Sequence, residues 1–209
     1  MEKQRVIVYV DGFNFYYGLK HKSSWKKYYW IDIVNLFESF MRPHQELIAV
    51  KYFSARVSDI DKSYRQNAFF QANKENPKFQ LVLGKYLKKS IKCYNCGKLI
   101  HTFEEKETDV RIATQIVADA YKNNCDIAIV VSADSDMIPA MELALEAGIK
   151  VFAYFPPFQI STAITLLLGN AVRMERFESR FKNAVLPDEI ELKANGFKLT
   201  IPPKWKGFF

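Results

Sequence analysis

The sequence predicts an α/β fold in three layers, with helices on both faces of a central, mainly parallel sheet. Short apolar runs rich in β-branched residues alternate along the chain with segments whose apolar residues recur at helical spacing. The run Ile127–Val131 is apolar throughout, as is typical of a strand buried on both faces of a parallel sheet. The length of 209 residues is enough for one domain with a sizeable core.

The first half of the chain alternates between strand and helix signals. Apolar, β-branched stretches predict strands over residues 5–10, 46–57 and 79–87. Helical spacing, closed in each case by a proline, predicts helices over residues 31–41 and 59–76. Gly84, inside the third predicted strand, marks a bulge position.

The second half continues the same alternation. A helix is predicted over residues 108–121, and a second helix follows Ile127–Val131, with Pro139 in its first turn and Gly148 at its end. The remaining predicted elements are a strand at 149–155, a helix at 161–168 and a strand at 172–177. We expect residues 1–178 to form one domain and residues 179–209 to form a C-terminal extension that packs on it or trails from it.

Residues 88–103 depart from this alternation and predict a small hairpin insert. Cys93 and Cys96 form a Cys-x-x-Cys pair followed by glycine, which is half of a zinc-knuckle spacing. His101 is a candidate third zinc ligand, but structural zinc sites are nearly always four-coordinate. No fourth ligand follows nearby, and Cys125 lies at the start of the distant central strand. The alternative is a basic hairpin that keeps reduced thiols and lies over a substrate.

Several classes of protein are excluded by what the sequence lacks. No apolar run approaches the roughly 20 residues of a membrane-spanning helix. The charged N-terminus enters a strand at once, and three cysteines are an odd number, so we expect a cytoplasmic protein without a signal peptide or a disulfide framework. Dinucleotide enzymes, P-loop NTPases and serine hydrolases are disfavoured because their glycine-rich motifs are missing.

The chain is basic, with 30 Lys and Arg against 23 Asp and Glu and a formal net charge of +7. Lysines cluster near the start and in the hairpin, with tyrosines and tryptophans among them. Basic groups attract phosphate backbones and exposed aromatic rings stack on unpaired bases, so the clusters predict nucleic-acid binding. For any single residue the alternative is a solvated lysine beside an aromatic core residue. The candidate contacts are Lys85, Lys88, Lys89, Lys92, Lys98 and Arg111.

Acidic side chains follow two of the predicted strands. Asp134 and Asp136 come directly after Ile127–Val131, and Asp11 ends the first strand, with Asn14 three residues later. Ligands bind at the carboxyl ends of strands in open α/β sheets. The alternatives are that Ser135 or Asp136 caps the following helix and that Asp11 and Gly12 form a turn with Asn14 as N-cap. Capping after the central strand needs one side chain and leaves the second carboxylate unexplained.

Asp109 is a third acid near a predicted element end. Thr108 is a good N-cap, which places Asp109 in the first turn near the positive end of the helix dipole, and alone this would explain it. Carboxylates that meet at one sheet edge repel one another, and a hard divalent cation such as Mg²⁺ or Mn²⁺ is the usual resolution. Such an ion lowers the pKa of a bound water and holds a phosphodiester.

The acids lie in three ordered segments, which read VYVDGFN at 8–14, EKETDV at 105–110 and VSADSDM at 131–137. These segments resemble the motifs of the NYN domain, which belongs to the PIN-like ribonuclease superfamily, and are most similar to its LabA-like branch. The resemblance covers residues 5–178 and implies a PIN-like α/β/α fold with metal-dependent RNA cleavage. The Cys93–Cys96 insert is also similar to that branch.

The resemblance also implies roles for single residues. Asn14 would orient the site or the scissile phosphate. Thr108 and Ser132 would contact the acids and hold them in position without binding the metal themselves. The implied catalytic acids, which bind Mg²⁺ or Mn²⁺ or position the attacking water, are Asp11, Asp109, Asp134 and Asp136.

The expected activity is endonucleolytic hydrolysis of single-stranded or structured RNA. RNA is the expected partner, a homodimer is left open, and no membrane partner is expected. The alternative, from a different class, is a non-catalytic RNA-binding or regulatory module that keeps the acidic pocket for a structural ion. A phosphatase acting on small substrates is a weaker alternative, because a small substrate needs no extended basic surface.

Overall fold

A computed structural model describes residues 2–194 and 196–208, and the side chains of residues 86–89 and 100–106 lie outside that description. In chain order the elements are β1 (Gln4–Asp11), α1 (Gly12–Lys20), α2 (Ile33–Glu38), β2 (Gln45–Ser54), α3 (Ile60–Lys74), β3 (Phe79–Leu83), β4 (Lys85–Lys92), β5 (Leu99–Lys106), α4 (Thr108–Tyr121), β6 (Ile127–Val131), α5 (Ile138–Glu146), β7 (Lys150–Phe155), α6 (Thr162–Leu168), β8 (Val172–Arg173), α7 (Glu178–Asn183), β9 (Glu189–Glu191), β10 (Lys198–Thr200) and α8 (Pro203–Lys206). Short 3₁₀ turns lie at Ser23–Tyr29, Ser135–Met137 and Met174–Phe177. Within these ranges no helix has both the length and the apolar character that crossing a membrane requires.

The centre of the fold is a six-stranded sheet with the order β3-β2-β1-β6-β7-β8, in which all neighbours are parallel. β1 lies between β2 and β6, and the register sets Asp11 beside Phe53 and Val10 beside Val131. Parallel neighbours require crossover connections, which the helices supply. The carboxyl ends of β1, β2 and β6 therefore lie at one edge of the sheet. The predicted α/β fold with a central parallel sheet is confirmed.

Each face of the sheet is covered by its own helices and core. Along β1, Val8 and Val10 face a core built with α1, α2 and α3, while Ile7 and Tyr9 face a core built with α4, α5 and α6. Successive side chains of a strand point to opposite faces, so one apolar strand serves both cores. All four of these side chains are at most 3% exposed, and burying each contributes about 1.5–3 kcal/mol.

Three predicted details are wrong. The strand predicted over 79–87 divides at Gly84, whose N–H donates to the Ser54 carbonyl (2.8 Å), and the chain then leaves the sheet as β4. The strand predicted over 172–177 is only Val172–Arg173, and a 3₁₀ turn follows it. The helical spacing of Tyr64, Ala68, Phe69 and Ala72 predicts a largely buried stripe on α3, but Tyr64 is 59% exposed.

The insert is an antiparallel hairpin of β4 and β5, apart from the central sheet and longer than the predicted 88–103. At its tip the Cys93 N–H donates to the Lys98 carbonyl and the Gly97 N–H donates to the Cys93 carbonyl, both at 2.8 Å. Gly97 has φ +70°, a left-handed conformation that favours glycine.

Aromatic residues of the first lysine cluster lie in the core. The C-terminal segment reaches this core through Phe181 (0% exposed) and Trp205 (8% exposed). For these aromatic residues the core alternative is correct, so they do not supply an exposed stacking surface. Those that are at most 8% exposed are Trp25, Tyr28, Tyr29 and Trp30.

Candidate active site

Asp11 ends β1 and is also the N-cap of α1. Its Oδ1 accepts hydrogen bonds from the backbone N–H groups of Phe13 (3.1 Å) and Asn14 (3.0 Å). Asp11, rather than Asn14, therefore takes the capping position. Gly12 permits the abrupt change from strand to helix, because a Cβ at this position would lie 2.5 Å from the Phe53 carbonyl oxygen. The 5% exposed Asp11 carboxylate is thus held in one orientation at the edge of the sheet.

The loop after β6 carries the next two acids. Asp134 caps the 3₁₀ turn Ser135–Met137, and its Oδ1 accepts from the backbone N–H of Asp136 at 2.9 Å. Asp134 is half-buried, whereas Asp136 is exposed. The alternative that Ser135 or Asp136 caps the following helix is wrong, because the N-cap position of α5 is Met137, with no side-chain capping bond, and Asp134 caps the 3₁₀ turn instead. In the described part of the chain the Asp136 carboxylate has no hydrogen-bond or ion-pair partner.

Ser132 connects the ends of β1 and β6. Its buried hydroxyl donates to Asp11 Oδ2 (3.1 Å) and accepts from the backbone N–H of Asp134 (3.1 Å). Beside it, Asn14 Oδ1 accepts from the backbone N–H of Ala133 at 3.3 Å. These bonds fix the position of Asp11 relative to Asp134, although the two residues are far apart in the sequence.

Asp109 reaches the same edge on α4, which packs against the 3₁₀ turn that follows Asp134. Thr108, predicted as the N-cap, is instead the first helical residue, and Glu107 takes the N-cap position with φ 75°. A positive φ is uncommon for a residue with a Cβ, and such strained positions concentrate at functional sites. Thr108 is buried, and its Oγ1 has no hydrogen-bond partner among the described residues.

The acids of the site repel one another. Burial raises the pKa of Asp11, and the charges of Asp109 and Asp134 raise it further, while hydrogen bonds to its carboxylate lower it by a smaller amount. Desolvation also raises the pKa of Asp109, followed by the charges of Asp134 and Asp136. The fold therefore brings acids from three elements close enough for their charges to interact.

The donor chemistry of this cluster fits a hard divalent cation, because carboxylate oxygens are the ligands that Mg²⁺ and Mn²⁺ prefer. Burial first, and the charges of neighbouring acids second, raise the pKa values of Asp11 and Asp109, and a bound divalent cation would counteract both effects. Within the described residues, however, no three His, Cys, Asp or Glu side chains are grouped closely enough to hold a metal ion. The described residues match a divalent cation in donor type and charge, but in this arrangement they do not form a complete set of metal ligands.

Gln159, in the loop after β7, is a site neighbour that the sequence did not reveal. Its Nε2 donates to the Asn14 carbonyl at 2.9 Å. Its Oε1 is buried and has no hydrogen-bond partner among the residues described. The same is true of the Oγ1 of Thr108. Unpaired buried polar atoms are rare, and two beside the acids are available to a bound water or ligand. A glutamine after two prolines carries no signal that would have identified it.

Two of the residues predicted to bind nucleic acid, Lys85 and Arg111, form ion pairs with the same acid, Glu107. Lys85 Nζ lies 3.0 Å from Glu107 Oε1, and Arg111 Nη2 lies 2.9 Å from Glu107 Oε2. This pairing leaves one net positive charge at the base of the hairpin. The other predicted contacts are the exposed Lys92 and Lys98 near the hairpin tip, and Lys88 and Lys89, whose side chains lie outside the description.

The candidate zinc ligands do not form a complete site in the described chain. Cys93 and Cys96 lie at the hairpin tip, the side chain of His101 lies outside the description, and Cys125 is buried in the core. Backbone N–H groups of Cys96 and Asn95 donate to the Cys93 sulfur and lower the pKa of its thiol. Zinc binding stays a prediction.

The comparison with known protein families matches this chain to the model of the NYN domain over residues 5–167, a range that includes all three motif segments. The chain belongs to the NYN domain family. The predicted family is confirmed, and the LabA-like branch stays a prediction. In this NYN domain the three motif segments supply the end of β1, the start of α4 and the loop after β6.

One curated relative has a different described activity. The 6-hydroxy-3-succinoylpyridine 3-monooxygenase HspA of Pseudomonas putida (strain DSM 28022 / S16) is 26% identical over 177 residues, covering 68% of this chain and 56% of that protein. The NYN chain therefore spans little more than half the length of this relative.

Proposed function

We propose that this NYN domain is a divalent-metal-dependent ribonuclease that hydrolyses phosphodiester bonds within RNA. Membership of the family supports a PIN-like nuclease in general terms. The observation that carries the finer proposal is the Ser132 bridge, which holds Asp11 and Asp134 at one sheet edge. Asp109 adds a further interacting charge, and no described cation pairs with these acids.

The proposed metal ligands come from three segments of the chain. When bound, Mg²⁺ or Mn²⁺ would lower the pKa of a water molecule and stabilise negative charge on the phosphate oxygens. The residues that would hold the ion are Asp11, Asp109, Asp134 and Asp136.

The neighbouring polar residues give the acids a fixed geometry. Ser132 and Asn14 hold the two strand ends together, so that the carboxylates do not have to be reordered when RNA arrives. The Oγ1 of Thr108 and the Oε1 of Gln159 are buried, so a water molecule held inside the site, rather than the RNA itself, would be their hydrogen-bond partner. In the hydrolysis, the water oxygen bonds to phosphorus, the bond to the leaving ribose oxygen breaks, and that oxygen gains a proton.

The test is cleavage of a labelled single-stranded RNA by the purified protein with Mn²⁺, Mg²⁺ or EDTA. Asp134→Asn should lower the cleavage rate by about 10²–10³-fold, because a proposed ligand of the ion that stabilises developing negative charge on the phosphate is lost. Asp188→Asn is the matched control, because this exposed C-terminal acid lies outside the motifs and should cleave as the wild type does. A circular RNA of the same sequence should also be cut if the reaction is endonucleolytic.

The competing interpretation is a non-catalytic RNA-binding module. A wild-type protein that binds both RNAs and leaves them intact under every metal condition would establish that interpretation instead. Cleavage that persists equally in Asp134→Asn would show that the activity does not arise at this site.

A further inference from the structure

A cavity of about 310 Å³ opens beside the acidic site, on the β2 side of β1. Its lining begins at Gly12 and Phe13, the two residues that follow Asp11. The outer walls come from α1, the 3₁₀ turn Ser23–Tyr29, the end of β2, the start of α3 and Trp205 of α8. The cavity and the acids therefore share the carboxyl-end edge of the sheet, and none of the roles proposed above uses it.

Tyrosines form much of the outer wall of this cavity. Tyr16 stacks on Tyr29 with ring centroids 5.1 Å apart and an interplanar angle of 26°, and Tyr17 meets Tyr16 edge-on at 5.6 Å. Tyr29 is buried, but Tyr16 is 38% exposed and Tyr17 is 54% exposed. Rings that are fixed by neighbouring rings yet still open to solvent are suited to stack on an unpaired nucleobase.

The cavity is also positively charged. Lys20, Lys62 and Arg65 line it, and Asp59 is the one acid among its lining residues, so the net charge of the lining is 3 − 1 = +2. Asp59 is engaged in capping α3 through the Lys62 N–H at 2.8 Å. Among the described residues none of the three cations takes part in an ion pair, unlike Lys85 and Arg111 at the hairpin. Lys20 Nζ lies 5.5 Å from the centroid of the Tyr17 ring, and the pKa of Asp59 is lowered by its hydrogen bond from the Lys62 N–H and by the charges of Lys62 and Arg65. Cations without an ion-pair partner beside aromatic rings are the pattern that binds a nucleotide with its phosphate.

Gln66, whose side-chain amide lines the cavity, already has its hydrogen-bonding groups in use. The Gln66 Nε2 donates to the Ala55 carbonyl (2.9 Å) and to Ser54 Oγ (3.3 Å), and its Oε1 accepts from the Val57 N–H at 3.3 Å. An amide with its donors and acceptor in use is not available to read the edge of a base. The cavity should therefore recognise a base by stacking rather than by its identity.

From these observations we propose that the cavity binds an unpaired nucleobase of the RNA, with the adjoining phosphate on Lys20, Lys62 and Arg65. The cavity volume of about 310 Å³ lies in the range of small-ligand sites, which is large enough for a nucleobase. Because Gly12 and Phe13 line the cavity, a base bound there would bring the neighbouring phosphodiester towards the carboxyl end of β1. This inference rests on the proposed function, because it assigns the substrate contacts of the same site.

The first experiment measures binding in EDTA, so that it does not depend on cleavage. Adenosine 5′-monophosphate and ribose 5-phosphate, which lacks the base, are titrated into the full-length wild-type chain and monitored by NMR or calorimetry. The base should improve affinity about tenfold, as stacking does, and Tyr17→Leu should remove this difference. Tyr121→Leu is the matched control, because Tyr121 is 63% exposed at the end of α4 and outside the cavity.

The second experiment tests the cations with a labelled single-stranded RNA, again in EDTA. The double substitution Lys62→Gln with Arg65→Gln should weaken binding and reduce the slope of log affinity against log salt by about 1.4, since each contact to a single strand contributes about 0.7. The control removes the same amount of positive charge far from the cavity. It carries Lys122→Gln and Lys150→Gln, which lie at the amino-terminal end of the sheet, after α4 and at the start of β7. That control should leave the salt slope close to the wild-type value.

The outcomes separate this inference from the proposed activity. A base-dependent affinity that Tyr17→Leu abolishes supports the cavity assignment, even if the RNA is never cut. A wild type that binds both probes equally, or a Tyr17→Leu variant that keeps the full difference, overturns it. Cleavage that persists in that second case would leave the metal-dependent nuclease standing without this base site.

Discussion

Asp11 and Asp119 are both buried carboxylates, but their neighbours differ. Asp119, near the end of α4, is 1% exposed and lies 2.6 Å from Lys51 Nζ and 2.8 Å from the Tyr9 hydroxyl. Asp11 is 5% exposed and accepts hydrogen bonds from two backbone N–H groups and from Ser132. The charged groups near Asp11 are other acids, whereas Asp119 has a cation.

The pKa values of the two carboxyl groups are consequently shifted in opposite directions. Burial favours the neutral form of both and is the largest influence on each. For Asp119 the hydrogen bonds from Lys51, Asn124 and Tyr9 outweigh burial, so its pKa is lowered. For Asp11 burial outweighs the hydrogen bonds from the Asn14 N–H and from Ser132, and the charges of Asp109 and Asp134 add a smaller increase, so its pKa is raised. The presence of a cation beside Asp119 and of other acids beside Asp11 thus distinguishes the two buried carboxylates.

The strongest test of this contrast is Asp11→Asn. We expect cleavage of RNA to fall by about 10²–10³-fold, because a charge at the reacting centre is lost. Asparagine also caps helices well, so α1 should persist. Without metal at pH 7 the free energy of unfolding should stay equal or rise, since an ionised carboxylate with a raised pKa disfavours the folded state. Cleavage assays and thermal melts measure both; a large loss of stability would contradict the contrast.

Asp119→Asn should produce the opposite pattern. Lys51 would lose its buried partner, so the free energy of unfolding should fall by about 3 kcal/mol, as measured by urea denaturation. Cleavage per folded molecule should stay close to that of the wild type. Asp188→Asn serves as the control, because its ion pair with Lys206 is 65% exposed on both sides and should be worth less than about 1 kcal/mol.

Adding metal should distinguish the acidic site from the surroundings of Asp119, with stability as the only quantity measured. Mn²⁺ at 100 times its Kd should stabilise the wild type by about 2.7 kcal/mol, and it should stabilise Asp119→Asn equally. Asp134→Asn should show little increase in Tm, since it lacks a ligand. An equal increase in all three proteins would place the ion elsewhere on the chain.

The smallest expected effect is the pH dependence of the Asp119 contribution. Because the folded-state pKa of Asp119 is lowered, its contribution is complete above the unfolded-state pKa and is lost as the pH falls through the folded-state value. The stability difference between the wild type and Asp119→Asn should therefore be constant from pH 7 to about pH 5 and narrow below about pH 4. Urea denaturation across this range measures the difference, and a constant difference at low pH would contradict the ionic role of Asp119.

The sequence predicted the parallel sheet and the segments that carry the acids, because the relevant signals are local. Five consecutive buried residues in Ile127–Val131 followed by a polar loop define both the strand and the positions of Asp134 and Asp136. The abrupt end of β1 at Asp11-Gly12 is equally visible. The roles of these acids as metal ligands stay predictions.

Features that depend on distant contacts were missed. Gly84 ends β3, although strand-type residues continue on both sides of it, because its N–H pairs with the end of β2. The Gln159 contact with Asn14 joins residues 145 positions apart, so no local pattern reveals it. Tyr17 and Tyr29 have similar sequence surroundings, yet one is 54% exposed and the other is 8% exposed. Tertiary packing alone decides between them.

The strained residue between the hairpin and α4 has a mechanical consequence. Glu107 alone separates β5 from α4, and its side chain is held from both sides by Lys85 and Arg111. The hairpin and the first turn of α4, which carries Asp109, are therefore joined through a single residue rather than a loop, so their relative orientation depends on the conformation of Glu107.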